Sequence, residues 1–401
     1  GADVVVEETF ISGRHTGVTL EGRSILADWT DDQLTVWHSH QAPHMMKEVF
    51  AKHLGLQETQ VRVICRDVGG SFGIKVHVYP DEMAACACAV LLGRPVAFQA
   101  DRLESFLTDI HARDHTTRAR LAVAADGTLR GLEVDDLTGI GPYSVYPRTS
   151  AVESNQVVNL AGSWYRLPAY KARLRVALQT RTPTCQYRGV GHPIAVSVTE
   201  GLMDLAAHQL GIDPAELRRR NLLADDAYPH TAPSGLRFER LSLRTSFEKL
   251  LVLMDYDVLR REQAEARSRG VLRGIGLACF VELSNPGPAF YGVGGAPISA
   301  QDGCAIRLDP GGTVTASISV TEQGQGTETV IAQIVAHELS VPMASVRVVT
   351  GDTERTPYGG GTWASRGAGI GGEAALLTTL ARKPNEVLSR EDIAETLGMD
   401  E

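Results

Sequence analysis

The chain has 401 residues, enough for two or three domains with cores of their own. Hydrophobic residues at 43% and charged ones at 22% exclude disordered and fibrous classes. A net charge of −9 argues against nucleic acid or an anionic membrane as the main partner. The longest apolar run, Ala84 to Leu92, is far too short to span a membrane. No signal peptide is read at the Gly1-Ala2-Asp3 opening. Six scattered cysteines, with no C-x-x-C pair, point away from zinc, iron–sulfur clusters and a secreted scaffold, and so to the cytoplasm.

Strands and helices alternate, which places the chain in the α/β (α+β) class. Leu34 to His40 and Gln60 to Arg66 read as strands around a helix from His44 to Leu54. Asp81 to Leu92 reads as a buried helix stopped by Gly93-Arg-Pro, and Val96 to Ala100 as the next strand. Ala125-Asp-Gly-Thr and Asp309-Pro-Gly-Gly are hairpin turns. Asp213-Pro-Ala-Glu opens a helix with an N-cap, Pro at the first position and an early acid. Glu262 to Gly270 reads as a solvated charged stretch before a strand from Gly274 to Glu282. That places a boundary near 270, with domains 1–270 and 271–401. Leu388 to Gly398 reads as a capped terminal helix.

An internal repeat is the most informative feature. Thr35-Val-Trp-His-Ser-His-Gln-Ala-Pro-His, a helix, then Val61-Arg-Val-Ile lead to Val68-Gly-Gly-Ser-Phe-Gly. Ala316-Ser-Ile-Ser-Val-Thr-Glu-Gln-Gly-Gln-Gly, a helix, then Val346-Arg-Val-Val lead to Tyr358-Gly-Gly-Gly-Thr-Trp-Ala-Ser. Such a duplication tends to set its loops face to face around one shared cleft. Neutral amides on bare backbone suit a large polar cofactor better than a metal held by side chains.

The loop Val68 to Lys75 is neither a dinucleotide fingerprint nor a P-loop. Gln323-Gly-Gln-Gly-Thr327 sits before a helix N-terminus, where free N–H groups would hold a phosphate; the alternative is an ordinary helix cap with exposed glutamines. Arg188, between Gln186-Tyr and Gly-Val-Gly, either pairs with a core carboxylate or faces a phosphate or anionic metal–oxo group. His38, His40 and His44 are not at ligand spacing, and no nucleophile elbow or Cys–His pair is present.

In order, Gln41-Ala-Pro-His, Gly69-Gly-Ser-Phe-Gly-Ile-Lys, Tyr187-Arg-Gly-Val-Gly-His-Pro, Gly324-Gln-Gly and Gly361-Thr-Trp-Ala-Ser resemble one family. It is the molybdenum-binding (large) subunit of the xanthine oxidase, aldehyde oxidase and aerobic carbon monoxide dehydrogenase family. The segment from Glu200-Gly-Leu-Met-Asp through Leu210-Gly-Ile-Asp-Pro-Ala-Glu-Leu-Arg-Arg-Arg-Asn-Leu resembles it too.

The resemblance implies two related molybdopterin-binding domains of mixed sheets and helices with a shared cofactor cleft. It implies molybdenum held through the pterin dithiolene, commonly in the cytosine dinucleotide form, with no protein ligand to the metal. Gln41 would then face an oxo ligand, Gly70, Phe72 and Gly73 would lie beside the metal, and Arg188 at its edge. Gly324, Gln325 and Gly326 would meet the pterin, and Thr362, Ala364 and Ser365 the opposite wall. Iron–sulfur clusters and FAD are expected on partner subunits. The implied chemistry oxidises a small molecule, an aldehyde or aromatic N-heterocycle, with water-derived oxygen.

Three departures stand out. The small domain that usually precedes this region is not seen before Asp3. The cysteine that follows the motif arginine in carbon monoxide dehydrogenases, where its sulfur holds copper, is Gly189 here. The catalytic glutamate in a Gly-Val-Gly-Glu type motif is not found; Gly292-Val-Gly-Gly carries glycine where glutamate would be needed and lies before the second repeat, so it does not count as that motif. Glu322, at a strand end, and Glu373, opening a helix, are the nearest carboxylates. A natural split subunit whose partner chain carries the missing segments, or a partial chain, is therefore expected; carbon monoxide dehydrogenase itself, or a cofactor-holding subunit without its own base, is the alternative.

Overall fold

In a computed structural model, which describes residues 2–288 and 298–381, both copies of the repeat fold alike. In the first, Ser24–Thr30 and Gln33–His38 form an antiparallel hairpin, and the helix Pro43–Leu54 crosses over. Val61–Ile64 then returns parallel to Gln33–His38, with Leu34 opposite Val61. In the second, Cys304–Leu308 and Val314–Ile318 pair, and Thr327–Leu339 crosses over. Val346–Val349 returns in parallel with Val314 opposite Val346. The crossover helices end alike, on Gly55 (φ 70°) and Ser340 (φ 55°), both left-handed.

Alternation along the strands fixes what each copy buries. Leu34 and Val36 point with Val61 and Val63 at Met46 and Phe50 of the first helix; Ala85, Cys86 and Ala89 of the helix Pro80–Leu92 join the same core. In the second copy Ile306, Val314, Ala316 and Ile318 pack on Ile331 and Val335. Each such large aliphatic contributes about 1.5–3 kcal/mol by burial.

The two copies share one compact unit, made of Thr16–Ile110, Val145–Thr149 and the chain from Leu283. The strand end of the first copy meets the segment after the last strand of the second. Cys65 N–H donates to Gly351 O (2.6 Å), Thr353 N–H to Val63 O (3.1 Å), and Arg62 forks onto the Asp352 carboxylate (3.1 and 2.8 Å). Gly351 (φ 67°) is required there, because a Cβ would land on Cys65 O.

The other unit comprises Gly1–His15, His111–Ser144 and Ser150–Glu282. Its sheet runs in the order Val4–Ser12, His115–Val123, Leu129–Gly139, Tyr170–Ala177. The helices Val152–Leu160, His192–Leu210 and Pro214–Asn221 belong to the same unit. The two units interleave along the chain, and residue 270 falls inside the last segment of this second one.

The hairpins at 125–128 and 309–312 form as expected, and Asp213 caps its helix through Ala215 and Glu216 N–H. Two expectations need correction. Glu262 belongs to the helix Tyr256–Ser268, and Gly274 to Glu282 is no strand. Its alternation is real, since Leu277 and Cys279 are buried, but Leu277 O accepts from the Arg218 guanidinium (2.9 Å) instead of a strand. The expected helix at Leu388 to Gly398 and the Gly292 motif lie outside the described residues.

Candidate cofactor site

Gln41 stands at the centre of a knot made by both repeats. Its Nε2 donates to Thr362 O (2.8 Å), and the Ser71 hydroxyl donates to its Oε1. Its carbonyl accepts from the Thr321 hydroxyl (2.7 Å) and from Thr362 N–H (3.3 Å). Thr321 N–H and O bind the Thr362 hydroxyl at 2.8 and 2.9 Å. All four side chains are buried. Neither Thr321 nor Ser71 was singled out as a site residue on sequence grounds. The signal lies in the register: Leu34 and Val314 are equivalent, and Gln41 and Thr321 follow them by the same interval.

The glycine loop before Gln41's partner Ser71 is held from beneath. The Glu21 carboxylate accepts from Gly69 N–H (2.7 Å), the Ser39 hydroxyl (2.8 Å) and the buried Lys75 ammonium (2.6 Å). Burial pushes the Glu21 carboxyl up, but these donors hold it below its ordinary value. Gly70 and Gly73 have φ of 89° and 100°, and Phe72 between them is also left-handed at 58°. The Phe72 ring folds back over Gly70, 3.4 Å from where a Cβ would be, and stays partly exposed.

The loop 323–326 is also self-contained. Gln325 Nε2 donates to Thr321 O (3.0 Å) and to the Thr327 hydroxyl (2.8 Å), while its Oε1 accepts from Gln323 N–H (2.7 Å). The expectation of free N–H groups for a phosphate is corrected here. Glu322 occupies that place, accepting from the N–H groups of Gln323, Gly324, Gly326 and Glu328 at 2.8–3.1 Å. Burial raises this carboxyl, and the four backbone donors bring it below its ordinary value. Gly324 and Gly326, at φ 98° and 84°, leave open space where their side chains would be.

Beyond Thr362, Ala364 and Ser365 are both left-handed (φ 47° and 55°) and exposed. Behind them Arg366 is fully buried against Asp302 (2.6 Å) and donates to Gly361 O (3.2 Å). Burial lifts the Asp302 carboxyl to about 6 against the pull of Arg366. Glu373 is exposed in the first turn of Gly372–Leu380.

The histidines near Gln41 are structural. His40 Nδ1 accepts from Ala42 N–H (3.0 Å), so its Nε2–H donates to His77 O (3.2 Å); burial and His38 keep it neutral. Burial and Lys47 lower His44 to about 4. Among the described residues no group of three or more His, Cys, Asp or Glu is arranged to hold a metal ion, and no helix is long and apolar enough to cross a membrane. All six cysteines are free thiols.

Arg188 lies in the other unit, on a loop turned by Gly189 and Gly191 (φ 69° and 72°). Gly191 rides on the helix Val152–Leu160, where a Cβ would press on Glu153 O (2.6 Å). Glu153 is tied to Arg113 and lies 3.8 Å from His115 Nε2; His115 Nδ1 is 2.8 Å from Asp136. Burial alone would lower His115, but Asp136 and Glu153 raise it to about 9. Because that lies above the ordinary 6.5, the stabilisation is complete below about pH 6.5 and is lost as pH rises through about 9. It amounts to about 3 kcal/mol. Urea unfolding at pH 6 and pH 9.5 is expected to show this loss, and His115→Gln to flatten it.

Molybdopterin cofactor-binding domain models match the chain twice, over residues 1–222 and 249–384. The chain belongs to this family. It is 34% identical to the nicotine 6-hydroxylase large subunit of Paenarthrobacter nicotinovorans over 92% of this chain and 46% of that one. It is 33% identical to the carbon monoxide dehydrogenase large chain of Hydrogenophaga pseudoflava over 87% and 44%. The crystal structure of quinoline 2-oxidoreductase from Pseudomonas putida 86 superposes with a TM-score of 0.89 at 34% identity, covering 94% of this chain and 48% of that one. The chain thus spans about half the length of the relatives it matches. They place it with the large-subunit group of the xanthine oxidase family.

Proposed function

We propose that the chain is the cofactor-holding part of a multi-subunit molybdenum hydroxylase, an oxidoreductase that oxidises an aldehyde or aromatic N-heterocycle with water-derived oxygen. The knot of Gln41, Ser71, Thr321 and Thr362 carries this reading, because it spends buried polar side chains on fixing loops instead of on each other's solvation. The lining fits a molybdopterin: Gly324 and Gly326 leave open space that lets a planar group lie against bare backbone, and Gln41 has an amide hydrogen left beyond its bond to Thr362 O.

The bound cofactor supplies the redox chemistry. The chain's own residues hold and orient it: Gln41 keeps one amide hydrogen beyond its bond to Thr362 O, and Gly70, Phe72 and Gly73 form one wall. Gly324, Gln325 and Gly326 form the pterin rest, and Thr362, Ala364 and Ser365 close the far side. Arg188 serves as the cation at its edge. We assign the cytosine dinucleotide form, a cytoplasmic location, and partner subunits carrying iron–sulfur clusters and FAD. Along the sequence, the two cofactor-binding parts are assigned to residues 1–270 and 271–401.

Glu322 is consumed in capping its own loop and Glu373 faces solvent, so neither is assigned as the general base. The carbon monoxide dehydrogenase reading has the support of a 33% identical relative of that name. Against it, Gly189 provides no thiolate for copper, and Cys185 is buried with its thiol on Gln186. Metal and pterin analysis of the chain co-expressed with its partners decides: molybdenum and pterin without copper are expected. Gln325→Ala is expected to lower both molybdenum and pterin; unchanged content removes Gln325 from the site, and stoichiometric copper revives the alternative.

A further inference from the structure

Arg113 is an odd residue by its backbone. It and Asp114 are consecutive left-handed non-glycines (φ 68° and 72°), immediately before the strand His115–Val123. Such strain persists only where surrounding bonds over-determine it. Here they do. Arg113 N–H donates to Glu153 Oε2 (2.9 Å), and Asp114 N–H to Ser12 O (3.1 Å); Arg14 pairs with Asp114 (2.9 Å).

This backbone sends the Arg113 side chain, itself buried, under the loop that bears Arg188. One nitrogen binds Glu153 Oε1 and reaches Tyr187 O (3.5 Å); the other donates to Arg188 O (2.6 Å). The guanidinium carbon also sits 5.4 Å from the Tyr187 ring centroid. Glu153 Oε1 in turn accepts from Gly191 N–H (3.4 Å), so both ends of the loop hang on one ion pair.

We propose that Arg113 is a positioning residue that sets the place of Arg188 by gripping its carbonyl, with Glu153 as the shared anchor. The groups facing this pair are His115, Asp136, Thr117 and Thr138 from the sheet. A lysine keeps the charge for Glu153, but it lacks the second nitrogen, held apart on a planar fork, that reaches Arg188 O while the first binds Glu153. The functional half rests on the reading of Arg188 given above; the grip itself does not.

Hydrogen exchange on the full chain tests the grip. Arg113→Lys is expected to speed exchange across residues 186–192 by about tenfold, one hydrogen bond's worth, with the helix His192–Leu210 beyond that loop unchanged. Equal loss in both segments, or none in 186–192, overturns the proposal. Should that variant not fold, Glu153→Gln takes its place. It retains an acceptor for Gly191 and Arg113 but lacks the charge, and must loosen 186–192 selectively or the proposal fails. Cofactor content separates the two claims. Arg188→Ala with undiminished molybdenum and pterin sinks the reading of Arg188 and the functional half with it, whatever exchange shows.

Discussion

Glu200→Ala is expected to destabilise the chain by about 3 kcal/mol, because it leaves a buried guanidinium with only the half-exposed Asp204 carboxylate (2.8 Å) as a counter-charge. Arg218 has no exposed side-chain surface, and Glu200 Oε2 accepts from its Nε at 2.7 Å. The other Glu200 oxygen accepts from Trp164 Nε1 (3.1 Å) and the Tyr165 hydroxyl (2.8 Å), so the substitution also orphans two donors. Burial pushes the Glu200 carboxyl above its ordinary value even with Arg218 pulling it down. The pair is therefore a costly device, and its use is geometric. Arg218 also donates to Pro214 O (3.1 Å) and Leu277 O (2.9 Å), tying the helices His192–Leu210 and Pro214–Asn221 to the segment through Leu277. Denaturant unfolding checks the magnitude. The double variant Glu200→Leu with Arg218→Met should lose less than Glu200→Leu alone, and a double variant that loses more would refute the stranded-charge account.

The repeat was legible because hydrophobic alternation and loop glycines recur in the same order, and the fold returned two hairpin–helix–strand units in matching register. That both copies fall in one compact unit was not legible. The edge that joins them depends on Gly351 letting Cys65 approach, a single backbone conformation with no sequence period. The Gly274 to Glu282 segment misled for a related reason. Burial of alternate side chains marks an extended chain, but whether a strand or an arginine satisfies its carbonyls is decided by the tertiary fold. Among site residues, the motifs pointed to Gln41 and Thr362 but not to Thr321, whose hydroxyl is ordinary until the register sets it opposite Gln41 O. The phosphate reading of the Gln323 to Thr327 loop failed, since a carboxylate two residues before a Gly-Gln-Gly turn folds onto the very N–H groups that an external anion would need.

Gly361→Ala is expected to abolish pterin retention while leaving most of the fold in place. Gly361 is left-handed at φ 76°, a conformation that costs an alanine about 1–2 kcal/mol. Its Cβ would also press on Gln41 O and lie 2.8 Å from Ala42 Cα, both backbone atoms that no rotamer change can move away. Relief requires Gln41 to shift. That shift lengthens the bonds from Thr321 and Thr362 to Gln41 O and from Gln41 Nε2 to Thr362 O together. Gly55→Ala separates strain from displacement, since Gly55 has nearly the same φ of 70° but nothing within 4 Å of the added carbon. Both variants should melt earlier from the same φ strain, Gly361→Ala further because of the displacement, and only Gly361→Ala should come out of co-expression without molybdenum and pterin. If Gly361→Ala keeps its full complement, the position of Gln41 does not govern cofactor binding, and the knot is a structural joint between the repeats and nothing more.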